Sequence, residues 1–222
     1  MKEYKLTGNE FCDFKEVVPF PGMPSISNLN FFEIKTDFNS LTGNGVYMCY
    51  YDSMLLYVGI YVGKKTVIKE RWLNHIGLLT GRAKTIGFNK KNFNKIKKME
   101  DCEFRRLILL SKEEVLRIQR GLDYHFHKFK FSAEKWDDFK NLDVETLKRF
   151  SFCYIQYNRS DFGTANDNAI KKIVEKVEDN IITKLQPRCN GKEIVDFINH
   201  RNKGMEESMK VVREEMKKAI KF

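Results

Sequence analysis

The sequence lacks the patterns of a membrane, secreted or zinc-binding protein. Its 222 residues contain no long apolar run, so no stretch qualifies as a transmembrane helix. The cysteines are odd in number, widely scattered and without a Cys-x-x-Cys pair: Cys12, Cys49, Cys102, Cys153 and Cys189. Together with the charged start Met1-Lys2-Glu3, these absences predict a soluble, cytoplasmic protein with reduced cysteines, no structural zinc and no membrane partner.

Acidic residues are scarce relative to basic ones. The chain has 30 Asp and Glu against 40 Lys and Arg, which gives a net charge of +10 and a pI near 9.3. This balance favours an anionic partner, and nucleic acid before others. The length fits one large domain, or one domain with an insertion, and allows a sizeable core.

Residues 45–75 are the most informative stretch. Gly45-Val46-Tyr47 and Tyr57-Val58-Gly59 belong to two segments rich in aromatic and β-branched residues, and Asp52-Ser53 separates them. This pattern predicts a β-hairpin. A helix is predicted to follow from near Thr66, whose hydroxyl can cap the first turn.

That predicted helix has two polar residues on its apolar side. Five residues form the apolar stripe: Val67, Ile68, Trp72, Leu78 and Leu79. At ~100° per residue, Arg71 and His75 fall inside the same arc. Because a guanidinium is almost never buried without a partner, the pair suggests an anion bound at a concave site. The alternative is an ordinary amphipathic helix whose two polar side chains lie at the stripe's edge and reach water.

A second helix, from Asn166 or Asp167 to Leu185, also has a polar residue on its apolar side. Glu178 falls within the apolar stripe, whereas Glu175 and Asp179 fall outside it. A carboxylate on an apolar face is costly unless it is paired or binds a metal ion. Pairing with a lysine of the same chain is the alternative to a metal site.

The segment that follows the first of these helices is strongly basic. Arg82–Lys98 contains seven basic residues and no acid, interleaved with Phe88, Phe93 and Ile96. Basic residues with apolar anchors are suited to contact phosphates, although a solvated loop would have the same composition.

Two helices are predicted at 104–120 and 133–149, around a short strand within 124–131. The strand should point its aromatic residues inward and its basic residues mostly outward: His125, His127, Lys128 and Lys130. The two histidines have no third metal ligand nearby, so we interpret them as structural.

Taken in order, these motifs resemble those of the GIY-YIG nuclease superfamily. Gly45-Val46-Tyr47, nine further residues and Tyr57-Val58-Gly59 are similar to the family's two name-giving motifs, and Arg71-Trp72-x-x-His75 is similar to its helical Arg and His. Glu178 stands where the family has its single metal-binding glutamate. The following segment, 185–190, also resembles the family's, with a matching Asn at its end and a Cys in place of the usual aromatic residue.

A second register is open for the second motif. Tyr61-Val62-Gly63-Lys64 is closer to Arg71 and has a lysine after the glycine, but we prefer Tyr57 because the segment 54–59 reads as one continuous strand. A two-residue turn would pair Tyr47 with Val58 and send Tyr57 to the other face of the hairpin. For the two tyrosines to lie on the same face, the loop must have an odd number of residues, such as the three residues 52–54.

The resemblance implies an α+β fold with a small three-stranded antiparallel sheet flanked by helices, within residues 45–190. Phe150–Tyr157 is the natural third strand, and residues from about 80 to 149 form a mostly helical insertion that contacts DNA. Residues 1–44 would be an N-terminal arm that packs on the core, extends it or reaches along DNA. Residues 191–222 would be a C-terminal helical extension, in which 205–222 docks on the same chain or a partner subunit.

The resemblance also implies an Mg²⁺-dependent endonuclease that acts on double-stranded DNA, with Mn²⁺ as a substitute. Glu178 would hold the metal ion, Arg71 would contact the phosphate and Tyr47 would be the general base. Tyr57 and His75 would orient the attacking water or the Tyr47 hydroxyl.

Further residues would support this chemistry. Asn190 would brace the site through hydrogen bonds, and Lys64 or Lys65 would replace a lysine that many members carry after the second motif. The predicted DNA-binding residues are all basic: Lys64, Lys65, Arg82, Lys84, Lys90, Lys91, Lys95, Lys97 and Lys98.

Within the superfamily, the chain looks most like a stand-alone type II restriction endonuclease, because the core lies mid-chain with a basic insertion. A phage or intron-encoded endonuclease and a structure-selective repair nuclease are alternatives, although no zinc finger or helix-hairpin-helix appendage is visible. A catalytically silent DNA-binding protein is the alternative from another class. Cutting both strands with one metal site per chain would require a homodimer or sequential nicking.

Overall fold

The protein has an α+β fold built on a four-stranded antiparallel sheet. The computed structural model describes residues 1–14, 32–35, 38, 40–63, 65–81, 98, 100, 122–139, 142–190 and 204–220. The strands are β1 (Lys2–Thr7), β2 (Cys12–Phe14), β3 (Phe32–Ile34), β4 (Gly43–Tyr51), β5 (Met54–Gly63) and β6 (Phe150–Tyr157). The main sheet has the order β1-β6-β4-β5, and β2 pairs with β3 separately.

Seven α-helices occur within the described residues, together with a π-helical turn (Ile68–Trp72) and a 3₁₀ turn (Arg159–Phe162). The helices are α1 (Gly8–Phe11), α2 (Leu73–Leu79), α3 (Leu122–Glu134), α4 (Trp136–Phe139), α5 (Val144–Arg149), α6 (Asp167–Leu185) and α7 (Met205–Ile220). The π-helical turn leads directly into α2.

The predicted three-stranded sheet is wrong by one strand. β4, β5 and β6 are present as expected, but β1 adds a fourth strand, paired with β6 from Lys2–Gln156 to Thr7–Ser151. The start of the predicted N-terminal arm therefore extends the sheet. Its short Lys and Glu-rich pattern gave too little hydrophobic alternation to identify a strand.

Each face of the main sheet covers its own hydrophobic core. On one face, Trp72 stacks on Phe152 with ring centroids 5.0 Å apart, and Phe11 packs against both rings. On the other face, α6 and α7 pack against the sheet through fully buried residues such as Val174, Ile181 and Met209. The sheet is thus sandwiched between the helix that follows the hairpin and the two C-terminal helices.

A β-bulge, rather than an odd loop, brings Tyr47 and Tyr57 to the same face. The turn has two residues, Asp52 and Ser53, and the pairing shifts by one residue after Tyr50–Leu55. Leu56 is the extra residue, so Cys49 pairs with Tyr57 and Tyr47 with Gly59. The predicted three-residue loop is therefore wrong, but the convergence that it was meant to explain is present.

Replacement of Ser53 by glycine should stabilise the hairpin. Asp52 and Ser53 have φ values of 48° and 63°, a left-handed conformation that disfavours residues with a Cβ. We expect Ser53→Gly to raise the free energy of unfolding by about 1 kcal/mol in urea titrations. Ser160→Gly, at an exposed serine without a positive φ, should instead lower it by up to about 1 kcal/mol. Equal effects of the two substitutions would contradict this explanation.

The predicted strand within 124–131 is wrong, because these residues lie in α3. Its buried side chains recur at helical spacing: His127, Lys128, Phe131 and Ser132. His127 and Lys128 therefore point inward, contrary to the prediction. The predicted helix at 133–149 is also broken, since α3, α4 and α5 are separate, and the predicted helix at 104–120 lies outside the described residues.

The predicted helix that ends at Leu185 and the predicted helix from Met205 are confirmed, whereas 191–203 and 221–222 of the predicted extension lie outside the described residues. Asn166 caps α6 by accepting a hydrogen bond from the Ala169 N–H (2.9 Å), and α6 ends at Leu185 as expected. Helix α7 begins at Met205 and docks on α6 of the same chain through Met209 and Val212. None of the described helices is long and apolar enough to cross a membrane.

Candidate active site

Tyr47, Tyr57 and His75 form an aromatic cluster at the junction of the hairpin and α2. The Tyr47 hydroxyl and His75 Nε2 are hydrogen-bonded at 2.9 Å. The Tyr57 ring lies over His75, with centroids 4.3 Å apart, and stacks beside Tyr47 at 6.0 Å. Tyr47 and His75 are buried, whereas Tyr57 is half-buried and so forms the accessible side of the cluster.

The structure brings Tyr57, rather than Tyr61, to Tyr47 and His75. The two candidates are four residues apart on β5 and so share a face. However, the Tyr61 hydroxyl donates to the Lys65 carbonyl (2.7 Å) and contacts Glu70 (3.1 Å) at the start of the following helical segment. Tyr61 thus fixes the hairpin to that segment, and Tyr57 is the residue positioned for chemistry.

Arg71 is exposed rather than inset in the apolar stripe, which corrects the sequence prediction. It lies in the π-helical turn, whose wider winding changes the angular positions that an α-helical wheel assigns. Trp72 and His75 still point inward. The positive charge of Arg71 nevertheless acts on both tyrosines of the cluster and lowers their pKa.

Glu178 contributes negative charge to the same cluster. It is half-buried on α6, one residue from the buried Val177, while Glu175 and Asp179 are exposed, as the sequence predicted. Helix α6 packs against β5, which is the last strand of the sheet. The Glu178 carboxylate acts electrostatically on Tyr47 and Tyr57.

Both tyrosine hydroxyls are protonated at neutral pH. Burial raises the pKa of Tyr47 well above its ordinary value, Tyr57, Cys49 and, least, Glu178 raise it further, and Arg71 only partly opposes this. Burial and Glu178 likewise raise the pKa of Tyr57 to about 12. Tyr47 can therefore accept a proton only if it passes its own proton to the hydrogen-bonded His75.

The capacity of the site for a metal ion rests on one carboxylate. Within the part of the chain that the structure describes, no three His, Cys, Asp or Glu side chains come together as a metal site. Mg²⁺ keeps several waters and often needs only one or two carboxylates together with substrate phosphate oxygens. One carboxylate, that of Glu178, is compatible with such an ion and not with a structural Zn²⁺, which needs four protein ligands.

Asn190 holds the strand that carries Tyr57. Its side-chain Oδ1 accepts from the Val58 N–H (2.7 Å), and its Nδ2 donates to the Val58 carbonyl (2.6 Å). The preceding Cys189 N–H donates to the Leu56 carbonyl (2.7 Å). Residues 188–190 thus run along the outer edge of β5 and satisfy backbone groups that β4 does not reach.

Replacement of Asn190 by alanine should loosen β5. Both Val58 backbone groups would lose their partner in a partly buried place, so we expect the free energy of unfolding to fall by about 2 kcal/mol. Hydrogen exchange of the Val58 amide should accelerate. Asn180→Ala, at an exposed asparagine that contacts Glu215 (3.3 Å), should change stability by less than about 1 kcal/mol. Unchanged Val58 exchange in Asn190→Ala would contradict the assignment.

Lys128 is a site residue that the sequence analysis missed. Its Nζ lies 4.0 Å from the centroid of the Tyr57 ring, and the side chain is buried. The mistaken strand pattern had directed it outward. A helical interpretation of 122–134 would have put Lys128 on the same side as Phe131 and Ser132.

Two of the nine predicted DNA-binding residues lie within the described part of the chain. Lys65 is exposed and pairs with Glu70 (3.5 Å), and Lys98 is exposed. The others lie outside the described residues: Lys64, Arg82, Lys84, Lys90, Lys91, Lys95 and Lys97.

Comparisons of the chain with protein-family models, with curated proteins and with solved structures found no match. The interpretation of the site therefore rests on its residues and geometry.

Proposed function

We propose that the protein is an Mg²⁺-dependent endonuclease of the GIY-YIG kind that hydrolyses phosphodiester bonds in double-stranded DNA. One observation carries the proposal. Tyr47, Tyr57 and His75 contact one another at the aromatic cluster, and the charges of Arg71 and Glu178, from two further parts of the chain, act on its two tyrosines. The net charge of +10 is suited to a DNA substrate.

Each side chain has a distinct task in this proposal. Glu178 would hold the metal ion, which supplies Lewis-acid stabilisation of charge on the phosphate when bound. Arg71, which is exposed and whose charge acts on both tyrosines, would donate to the phosphate oxygens and stabilise the charge that accumulates during attack by water. Tyr57 lies on the accessible side and orients the water.

Proton transfer runs through the Tyr47–His75 hydrogen bond. Since the pKa of Tyr47 is raised by burial, its hydroxyl takes the proton of the attacking water only as it passes its own proton to His75 Nε2. The bond from phosphorus to the leaving 3′ oxygen breaks, and that oxygen is protonated from solvent. Asn190 keeps β5, and with it Tyr57, in register.

Sequence-specific double-strand cleavage in the cytoplasm, as by a restriction endonuclease acting as a homodimer, is the form of this activity that we favour. One observation favours a second candidate, a catalytically silent DNA-binding protein. Burial raises the pKa of both Tyr47 and Tyr57, so neither is a ready base in the free protein. The same experiment separates the two.

The test is incubation of the protein with a large, sequenced double-stranded DNA in Mg²⁺, in Mn²⁺ and in EDTA. Discrete fragments in either metal, and none in EDTA, are expected, and the fragment ends would give the recognition site. Nicks only at branched DNA would indicate a repair nuclease. Tight binding without cleavage in any metal would overturn the nuclease proposal and favour the silent binder.

A further inference from the structure

Lys128 is a buried positive charge at the candidate site. Its side chain is 3% exposed, and its ammonium lies over the Tyr57 ring. The ionisable groups that act on it are Cys49, Cys189 and Arg71. Among the residues that the structure describes, no carboxylate forms an ion pair with it.

This position is costly for the free protein. Lysines usually bury only their stems and keep the ammonium in water, and a buried ammonium is normally paired. Lys130, two residues along the same helix, follows the rule, because it is half-buried and pairs with Glu134 (4.0 Å). Among the described residues, Lys128 has the face of the Tyr57 ring at 4.0 Å and the thiols of Cys49 and Cys189 as its neighbours, and Arg71 adds a second positive charge.

The ammonium nevertheless keeps its charge at neutral pH. Burial, together with a smaller effect of the Arg71 charge, lowers the pKa of Lys128 to about 8, so most molecules remain protonated at pH 7. Within the described part of the chain, Lys128 therefore has no anionic partner, and the half-buried Tyr57 is the open side on which an anion can approach.

We infer that the buried ammonium of Lys128 stabilises the negative charge of the substrate phosphate through an electrostatic interaction across the Tyr57 ring. The inference rests on the proposed function and adds a positioning residue to it. Lys128 would not touch the DNA, since its ammonium is buried against the Tyr57 ring. It holds the Tyr57 ring in place and stabilises negative charge on the phosphate across an interior that contains little water, where charges interact strongly.

The experiment compares Lys128→Met, which keeps the stem and removes the charge, with Lys130→Met on the same helix. Four quantities are measured: the melting temperature without DNA, kcat and KM for cleavage in Mg²⁺, and the affinity for DNA in Ca²⁺. Lys128→Met should melt at the same temperature as the wild type or a few degrees higher, because an uncompensated charge is removed. Its kcat should fall by roughly 10²-fold, with a smaller change in KM. Lys130→Met should keep the wild-type kcat.

A lower melting temperature with kcat within about threefold of the wild type would overturn the inference. In that case Lys128 would serve only to pack Tyr57 by a cation–π contact.

If the wild type cleaves no DNA, the proposed nuclease function fails and a second measurement decides on Lys128. Inorganic pyrophosphate is added at low ionic strength and the melting temperatures are compared. A stabilisation seen in the wild type and Lys130→Met, but lost in Lys128→Met, would uphold an anion site at Tyr57. An equal stabilisation of all three proteins, or none, would overturn it.

Discussion

Replacement of Glu178 by glutamine is expected to lower the rate of DNA cleavage by at least ~10³-fold. A bound Mg²⁺ supplies several kcal/mol of charge stabilisation at phosphate, and each 1.4 kcal/mol corresponds to about tenfold in rate. Glutamine has nearly the same shape but lacks the charge that a hard cation requires. Because Glu178 is only half-buried, the fold and DNA binding in Ca²⁺-free buffer should persist.

The matched control is Glu175→Gln on the same helix. Glu175 is exposed and pairs with Lys171 (3.7 Å), so its loss should change the cleavage rate by less than about twofold and stability by less than about 1 kcal/mol. Initial rates on a defined DNA fragment at several Mg²⁺ concentrations would measure both variants. If Glu178→Gln cleaved DNA at the wild-type rate, the Glu178 carboxylate would have no role in catalysis.

Replacement of Tyr47 by phenylalanine should reduce kcat by about 10³-fold with little change in KM. The substitution removes only the hydroxyl that bonds His75, and a general base contributes roughly 10²–10⁴-fold. The ring remains buried and keeps its stacking with Tyr57, so stability should fall by only about 1 kcal/mol. Single-turnover cleavage and urea unfolding measure the two effects separately.

Tyr61→Phe is the control that also tests the register of the second motif. It removes a hydroxyl that bonds Lys65 and Glu70, at a similar cost in stability, but away from His75. It should therefore keep kcat within a few-fold of the wild type, whereas Tyr57→Phe should not. If kcat fell in Tyr61→Phe and not in Tyr57→Phe, Tyr61 rather than Tyr57 would be the catalytic tyrosine of the second motif.

Sequence patterns predicted the hairpin, β6 and α6 because each depends on local periodicity. Phe150–Tyr157 and Asp167–Leu185 have strong strand and helix periods, and their bounds agree with the structure. The position of Glu178 on α6 followed from the same period. Where the local pattern and the tertiary packing favour the same structure, a single sequence is sufficient to predict the element and its bounds.

The wrong predictions of the hairpin loop, of the Arg71 side-chain position and of the strand within 124–131 have a common physical cause. The bulge at Leu56 depends on how β5 pairs with β4, and the π-helical turn at Arg71 depends on how that segment packs against the sheet. Alternating aromatic and basic residues in 124–131 favoured a strand, but burial of Phe131 beside Tyr51 and Phe139 selects a helix. None of these interactions can be derived from residues adjacent in sequence.

The segment 188–190 also has a consequence for solubility. An uncovered outer strand is a template on which a neighbouring molecule can add its own strand, which is the first step of many protein aggregates. β5 is apolar, and the hydrogen bonds of Cys189 and Asn190 occupy the positions that an incoming strand would need. The contacts that hold Tyr57 in register therefore also protect the chain from intermolecular sheet growth.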